Sequence, residues 1–154
     1  MMRWGRVVLV AGILTGMPAS GARAGWTDGK AAASVIGQPD FTSGSDNQGG
    51  SQPTAATLNS PQGVALDPTS GKFFVCDTLN HRVLRYASPT AFVIGGAAEV
   101  VFGQTNFAAV TSGSQRNKLN TPAGIFVDRA GNLWVADSSN NRLVMFLNAS
   151  GRAS

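Results

Sequence analysis

Hydrophobic residues fall in short bursts of four to six, bounded by turn residues: 63–67 (GVALD), 73–77 (FFVCD) and 82–86 (RVLRY), then 124–128 (GIFVD), 133–137 (LWVAD) and 142–147 (RLVMFL). Bursts this short, rich in Val, Phe and Trp and separated by turn residues, predict β-strands rather than helices. Several are apolar at nearly every position, the pattern of a strand covered on both faces.

The second three bursts repeat the first three. Leu-Asn-x-Pro-x-Gly begins at Leu58 and again at Leu119, and Asp77, Asn80 and Arg82 return as Asp137, Asn140 and Arg142. The turn after Asp67 is one residue longer than the turn after Asp128, so the offset slips from 61 to 60 between these pieces. A further echo lies upstream, where residues 34–41 (SVIGQPDF) match 100–107 (VVFGQTNF). Counting Ser34–Gly37 and Val100–Gly103 as strands, each unit has four, with units at about 34–86 and 100–147. Between echoes run long Gly-, Ser- and Asn-rich loops, and loops of such length in a compact domain are either functional or mobile. A four-stranded antiparallel sheet repeated in sequence and covered on both faces predicts a propeller blade.

Pro61-x-Gly-Val-Ala-x-Asp67, followed by Val75-x-Asp-x-x-Asn-His-Arg-Val83, resembles the NHL repeat, and the second unit matches at Pro122, Gly124, Asp128, Gly131, Asp137, Asn140 and Arg142, with Asn141 in place of His81. The resemblance implies an all-β protein: two four-stranded antiparallel blades of an incomplete NHL-type β-propeller, a ring that in this family closes with about six blades. Each unit starts with the strand expected at the outer edge of the preceding blade. Two blades do not close a ring, so three arrangements are open: a fragment of a longer product, a homo-oligomer completing a propeller, or two sheets packed as a sandwich.

Composition and charge narrow the function. The 154 residues, 43% hydrophobic and 13% charged, suit one globular domain. Residues 1–24 read as a signal peptide: Arg3 and Arg6, an apolar run from Val7 to Met17, Pro18, and Ala22-Arg23-Ala24 as a cleavage site, leaving a domain of residues 25–154. The run, about eleven residues, is short for a bilayer span. The expected location is secreted or periplasmic, with no membrane contact after signal removal. Three of the twelve basic residues leave with the signal while all eight acidic residues stay, so the remaining chain is nearly neutral and offers nothing for nucleic acid. The single cysteine, Cys76, falls where the second unit has Ala136 and reads as a small buried residue rather than a reactive thiol.

Asp67, Asp77, Asn80, Arg82, Asp128, Asp137, Asn140 and Arg142 are the recurrent polar residues. Because they recur once per unit, they are expected to fasten turns, with the guanidinium clamping a carboxylate, rather than to form one active site. His81, the only histidine, is expected to be an exposed turn residue. No metal, cofactor or catalytic set is predicted. The binding candidates are loop residues: Gln38, Phe41, Gln104, Asn106, Phe107 and Arg116. Phe41 and Phe107 are expected to tuck over the blade edge as staples. The resulting expectation is an exported, non-enzymatic module that binds a protein or small polar ligand. The alternative is part of a propeller enzyme, of the metal-dependent lyase or lactonase type, whose catalytic residues lie on other blades.

Overall fold

The computed structural model describes residues 28–88 and 93–151. The chain divides into Met1–Ala31 and Ala32–Ser154, and the sheets lie in the second unit. The predicted signal peptide falls outside the described residues.

Among the described residues seven strands form, each where an apolar burst meets a turn: β1 (Pro61–Leu66), β2 (Phe73–Asp77), β3 (Arg82–Tyr86), β4 (Val100–Phe102), β5 (Pro122–Val127), β6 (Leu133–Asp137) and β7 (Arg142–Phe146). Strands β1-β2-β3-β4 make one antiparallel sheet and β5-β6-β7 another. The turns are side-chain built. Asp67 Oδ1 accepts the Thr69 N–H and Asp128 Oδ1 accepts those of Ala130 and Asn132, while Gly71 and Gly131 take positive φ of 71° and 82° to bring the chain back. Between β2 and β3, and between β6 and β7, a 3-10 turn ends in a left-handed residue, His81 (φ 55°) or Asn141 (φ 52°).

The sheets stack face to face, β1 against β5. Phe74, Cys76 and Val83 of the first sheet meet Val127, Leu133 and Val135 of the second in one buried cluster, closed at the outer edge by Phe102 against Phe146 with ring centroids 5.3 Å apart. Each Val, Leu or Phe so buried contributes about 1.5–3 kcal/mol. The approach is close: a Cβ on Gly63 would stand 2.8 Å from the Ala123 carbonyl oxygen, so only glycine lets β1 lie this near β5. On the other face of the first sheet Val75, Leu84 and Tyr86 pack under Leu58, Ala98, Ile36 and Phe107.

Two expectations change. The second sheet has three described strands, not four, and Ser34–Gly37 forms no strand but a single parallel bridge from Gly37 to Thr57. Both follow from one fact: a blade takes its outer strand from the unit that follows it. Thus Val100–Phe102, at the start of the second unit, pairs with β3 of the first. Ser34–Gly37 has no described sheet on its other side to join. Coverage of both faces also fails for the second sheet, whose outer face leaves Phe126, Trp134, Leu143 and Met145 exposed.

Candidate functional site

Six of the eight recurrent polar residues converge at the β2–β3 and β6–β7 corners, while Asp67 and Asp128 hold the β1–β2 and β5–β6 turns. Asp77 Oδ1 accepts the Asn59 N–H at 2.7 Å, and its Oδ2 accepts Asn80 Nδ2 at 2.8 Å and Arg82 Nε at 2.6 Å. Asp137 repeats this with Asn120 at 2.6 Å, Asn140 at 2.8 Å and Arg142 at 2.7 Å. Each guanidinium meets its carboxylate through Nε alone, not as a bidentate clamp, which frees its outer nitrogens for backbone. Arg82 donates to the Thr54 and Thr57 carbonyls, both at 2.9 Å, and to that of Phe107; Arg142 donates to those of Ser114, Gln115 and Lys118. The outer guanidinium nitrogens all reach loop carbonyls, so the cluster ties the long loop of each unit to its own corner. Burial pushes the Asp77 carboxyl up from its ordinary value, against the pull of Arg82 and the three donated bonds.

His81 is not the exposed turn residue expected. Half-buried, it turns Nδ1 to accept the Thr121 N–H at 3.0 Å, and its carbonyl accepts Gln104 Nε2 at 3.0 Å. The corner of the first blade is thereby seated in a socket made by the second unit. Burial lowers the His81 pKa, with the Asp137 charge acting the other way.

The loop candidates divide. Gln104 is buried, with Nε2 also reaching the Thr111 carbonyl and Oε1 accepting Lys118 Nζ at 3.2 Å. Phe107 packs on the first sheet, the staple expected of it. Phe41, its counterpart, is 51% exposed. Asn106 Oδ1 accepts the N–H groups of Ala108 and Ala109, closing a turn, and Arg116 is exposed. Gln38 donates Nε2 to the Ser45 carbonyl at 2.8 Å, while its Oε1 is buried without a partner among the described residues.

Around Gln38 the first loop closes on a cleft of about 290 Å³, lined by Pro39, Thr42, Ser43, Gly44, Ser45 and Gln48. Asp40 holds one wall, its Oδ1 accepting the Thr42 N–H and hydroxyl and the Ser43 N–H, bonds that pull its pKa down to about 2. Asn47 and Gln48 hold the other in a left-handed turn (φ 47° and 56°). Asn47 donates its N–H to the Leu58 carbonyl, and Gln48 Nε2 donates to those of Gly37 and Ala56. Asn47, marked by no motif or spacing, exchanges side-chain hydrogen bonds with Asn80 across 33 residues. Among the described residues no group of three His, Cys, Asp or Glu side chains is placed to hold a metal ion, and no helix is long and apolar enough to cross a membrane.

Antiparallel sheets that recur in sequence, stack face to face and take their outer strand from the next unit are blades of a partial β-propeller. The NHL repeat model matches residues 58–86 and 119–146, so the chain carries NHL repeats at these two places. No curated protein matches it. NHL repeats build a propeller-type binding or interaction module, which is the coarse function of this chain.

Proposed function

We propose that the chain is an exported, non-enzymatic module that binds a protein or a small polar ligand at the first loop. The observation that supports this most is the cleft lined by Gln38, Thr42, Ser43, Ser45 and Gln48, beside which Phe41 stands exposed. Hydroxyls and amides on a loop pinned at both ends offer hydrogen bonds at low ordering cost, and an exposed ring adds an apolar contact. The counterpart loop has Ala108, Ala109 and Val110 where the first has Thr42, Ser43 and Gly44, and so lacks these groups.

The test is amide chemical-shift mapping of the chain with defined acidic, basic and neutral peptides and with neutral oligosaccharides. At least one probe shifts the amides of residues 38–48, and Phe41→Ala or Gln48→Ala weakens it about tenfold, the loss of roughly 1.4 kcal/mol. Shifts confined to other surfaces, or none with any probe, sink the site. Export is checked by the N-terminus of the chain recovered outside the cytoplasm, expected at Gly25. Turnover of a lactone with calcium or zinc added would overturn the non-enzymatic reading.

A further inference from the structure

The two blades meet through a contact that is one-sided: the first presents its front and corner, the second its back and socket. Each blade also carries a copy of the half that the other uses: on the second blade it is exposed, and on the first it is partly covered by loop, with Val64, Leu66 and the cleft beside Gly37 left open. The His81 socket is formed by Gly103, Gln104, Leu119 and Thr121. The register-equivalent residues of the first unit, Gly37, Gln38, Leu58 and Ser60, line an open cleft of about 240 Å³. Its shape is conserved between units. A Cβ on either Gly37 or Gly103 would stand 2.6 Å from Cδ1 of the leucine opposite, and Ser60 and Thr121 both take φ of 51°. Gln104 gives its amide to two carbonyls, whereas Gln38, among the described residues, gives its own only to Ser45, the counterpart of Thr111.

The opposite half lies on the second blade. Asn141 occupies the His81 position in the same left-handed conformation and is exposed. Phe126, Trp134, Leu143 and Met145 stand exposed, and the first three hold the register positions of Ala65, Phe74 and Val83, which are packed between the sheets. Gly124 carries an independent sign. Its counterpart Gly63 must be glycine because of the Ala123 carbonyl, but a Cβ on Gly124 would meet only Ala136 Cβ at 3.8 Å. Among the described residues nothing at that spot requires glycine; a carbonyl from a docked blade would.

We propose that a second copy of this chain docks its first blade on the second blade of another, repeating the internal blade contact. The internal contact supplies the template, so the occupant is argued from continuity with an interface already formed, and the arrangement is heterologous, head to tail. Asn141 enters the open socket: its carbonyl accepts Gln38 Nε2, and its Oδ1 takes the role of His81 Nδ1, accepting the Ser60 N–H. The Gln62 carbonyl, counterpart of Ala123, lies against Gly124. Val64 and Leu66, 64% and 49% exposed, are covered by the face that bears Phe126 and Leu143. The inference goes beyond ligand binding and does not rest on it, because association is read with no ligand present.

The experiment is light scattering after gel filtration of the chain expressed from Met1, so that the host performs any processing, with the denatured mass of the same sample as reference. The wild type elutes at two or more chain masses. Leu143→Glu places a charge on a surface position, and Gly124→Ala adds a methyl for which the single chain has room, so each falls to one chain mass with an unchanged far-ultraviolet circular dichroism spectrum. A wild type that stays at one chain mass through the millimolar range, as it would if these faces serve other blades or another protein, overturns the proposal. So does an assembly whose mass both substitutions leave intact.

Discussion

The two blades are near copies in sequence and unequal in surroundings. The first has a fourth strand, a loop-covered back and a front packed on its neighbour; the second has three described strands and one packed face. The same Asp-Asn-Arg corner therefore sits in two environments. Arg82 is fully buried, roofed by the Phe107 carbonyl of the following unit, while the side chain of Arg142 is 30% exposed and turns to Ser114 instead. One motif thus yields two different interactions, because its worth is set by how much water the next unit excludes.

The largest expected break in the comparison is at the corner carboxylates. Asp77→Ala leaves a buried guanidinium without a counter-ion and costs about 3–5 kcal/mol in chemical denaturation. Asp137→Ala costs roughly half of that, since water reaches Arg142. Equal losses would mean that burial does not separate the corners. Next come the glycines: Gly63→Ala forces the sheets apart and costs about 1–3 kcal/mol, while Gly124→Ala changes the stability of a single chain by less than about 0.5 kcal/mol.

A smaller effect separates His81 from Asn141. Because burial depresses the His81 pKa below 6.5, its contribution to folding is complete above that value and declines as the pH falls through 6.5 toward the folded pKa, where a proton on Nδ1 displaces the Thr121 bond. An NMR titration should show the Thr121 amide shifting in that window, and His81→Asn should abolish the shift. The smallest concerns Asp40 and its counterpart Asn106. With a folded pKa of about 2 against 3.8, Asp40 steadies its turn above the higher value and ceases to do so as the pH drops toward the lower. The Thr42 and Ser43 amides should move between pH 4 and 2 while those of Ala108 and Ala109, held by a neutral amide, do not.

Strand positions were readable because a burst of Val, Phe and Trp ended by Asp or Gly is a local signal. So was the offset by which Val100–Phe102 joins the earlier blade. Ser34–Gly37 reads the same way locally but forms no strand, because pairing depends on a neighbour and not on the segment's own composition. His81 escaped for a related reason. Its replacement by Asn in the second unit suggests a dispensable side chain, yet Asn tolerates the left-handed backbone and carries an acceptor of its own, so the substitution preserves the role. The cleft around Gln38 was signalled only in part: the loop stood out by length, but Asn47 and Gln48, which brace it, carry no spacing that would mark them.

The outer strand of the first blade belongs, by sequence, to the second unit. Gene duplication copies units, while the physical object that must be completed is the sheet, and the two are out of phase by one strand. A duplicated unit therefore cannot be added as a free-standing piece: it arrives already sewn into the blade before it and leaves an edge for whatever comes after. Lengthening such an array by whole units keeps every seam inside a sheet, where a strand ladder such as that of Val83, Leu84 and Arg85 with Phe102, Val101 and Val100 is at stake rather than a flexible joint.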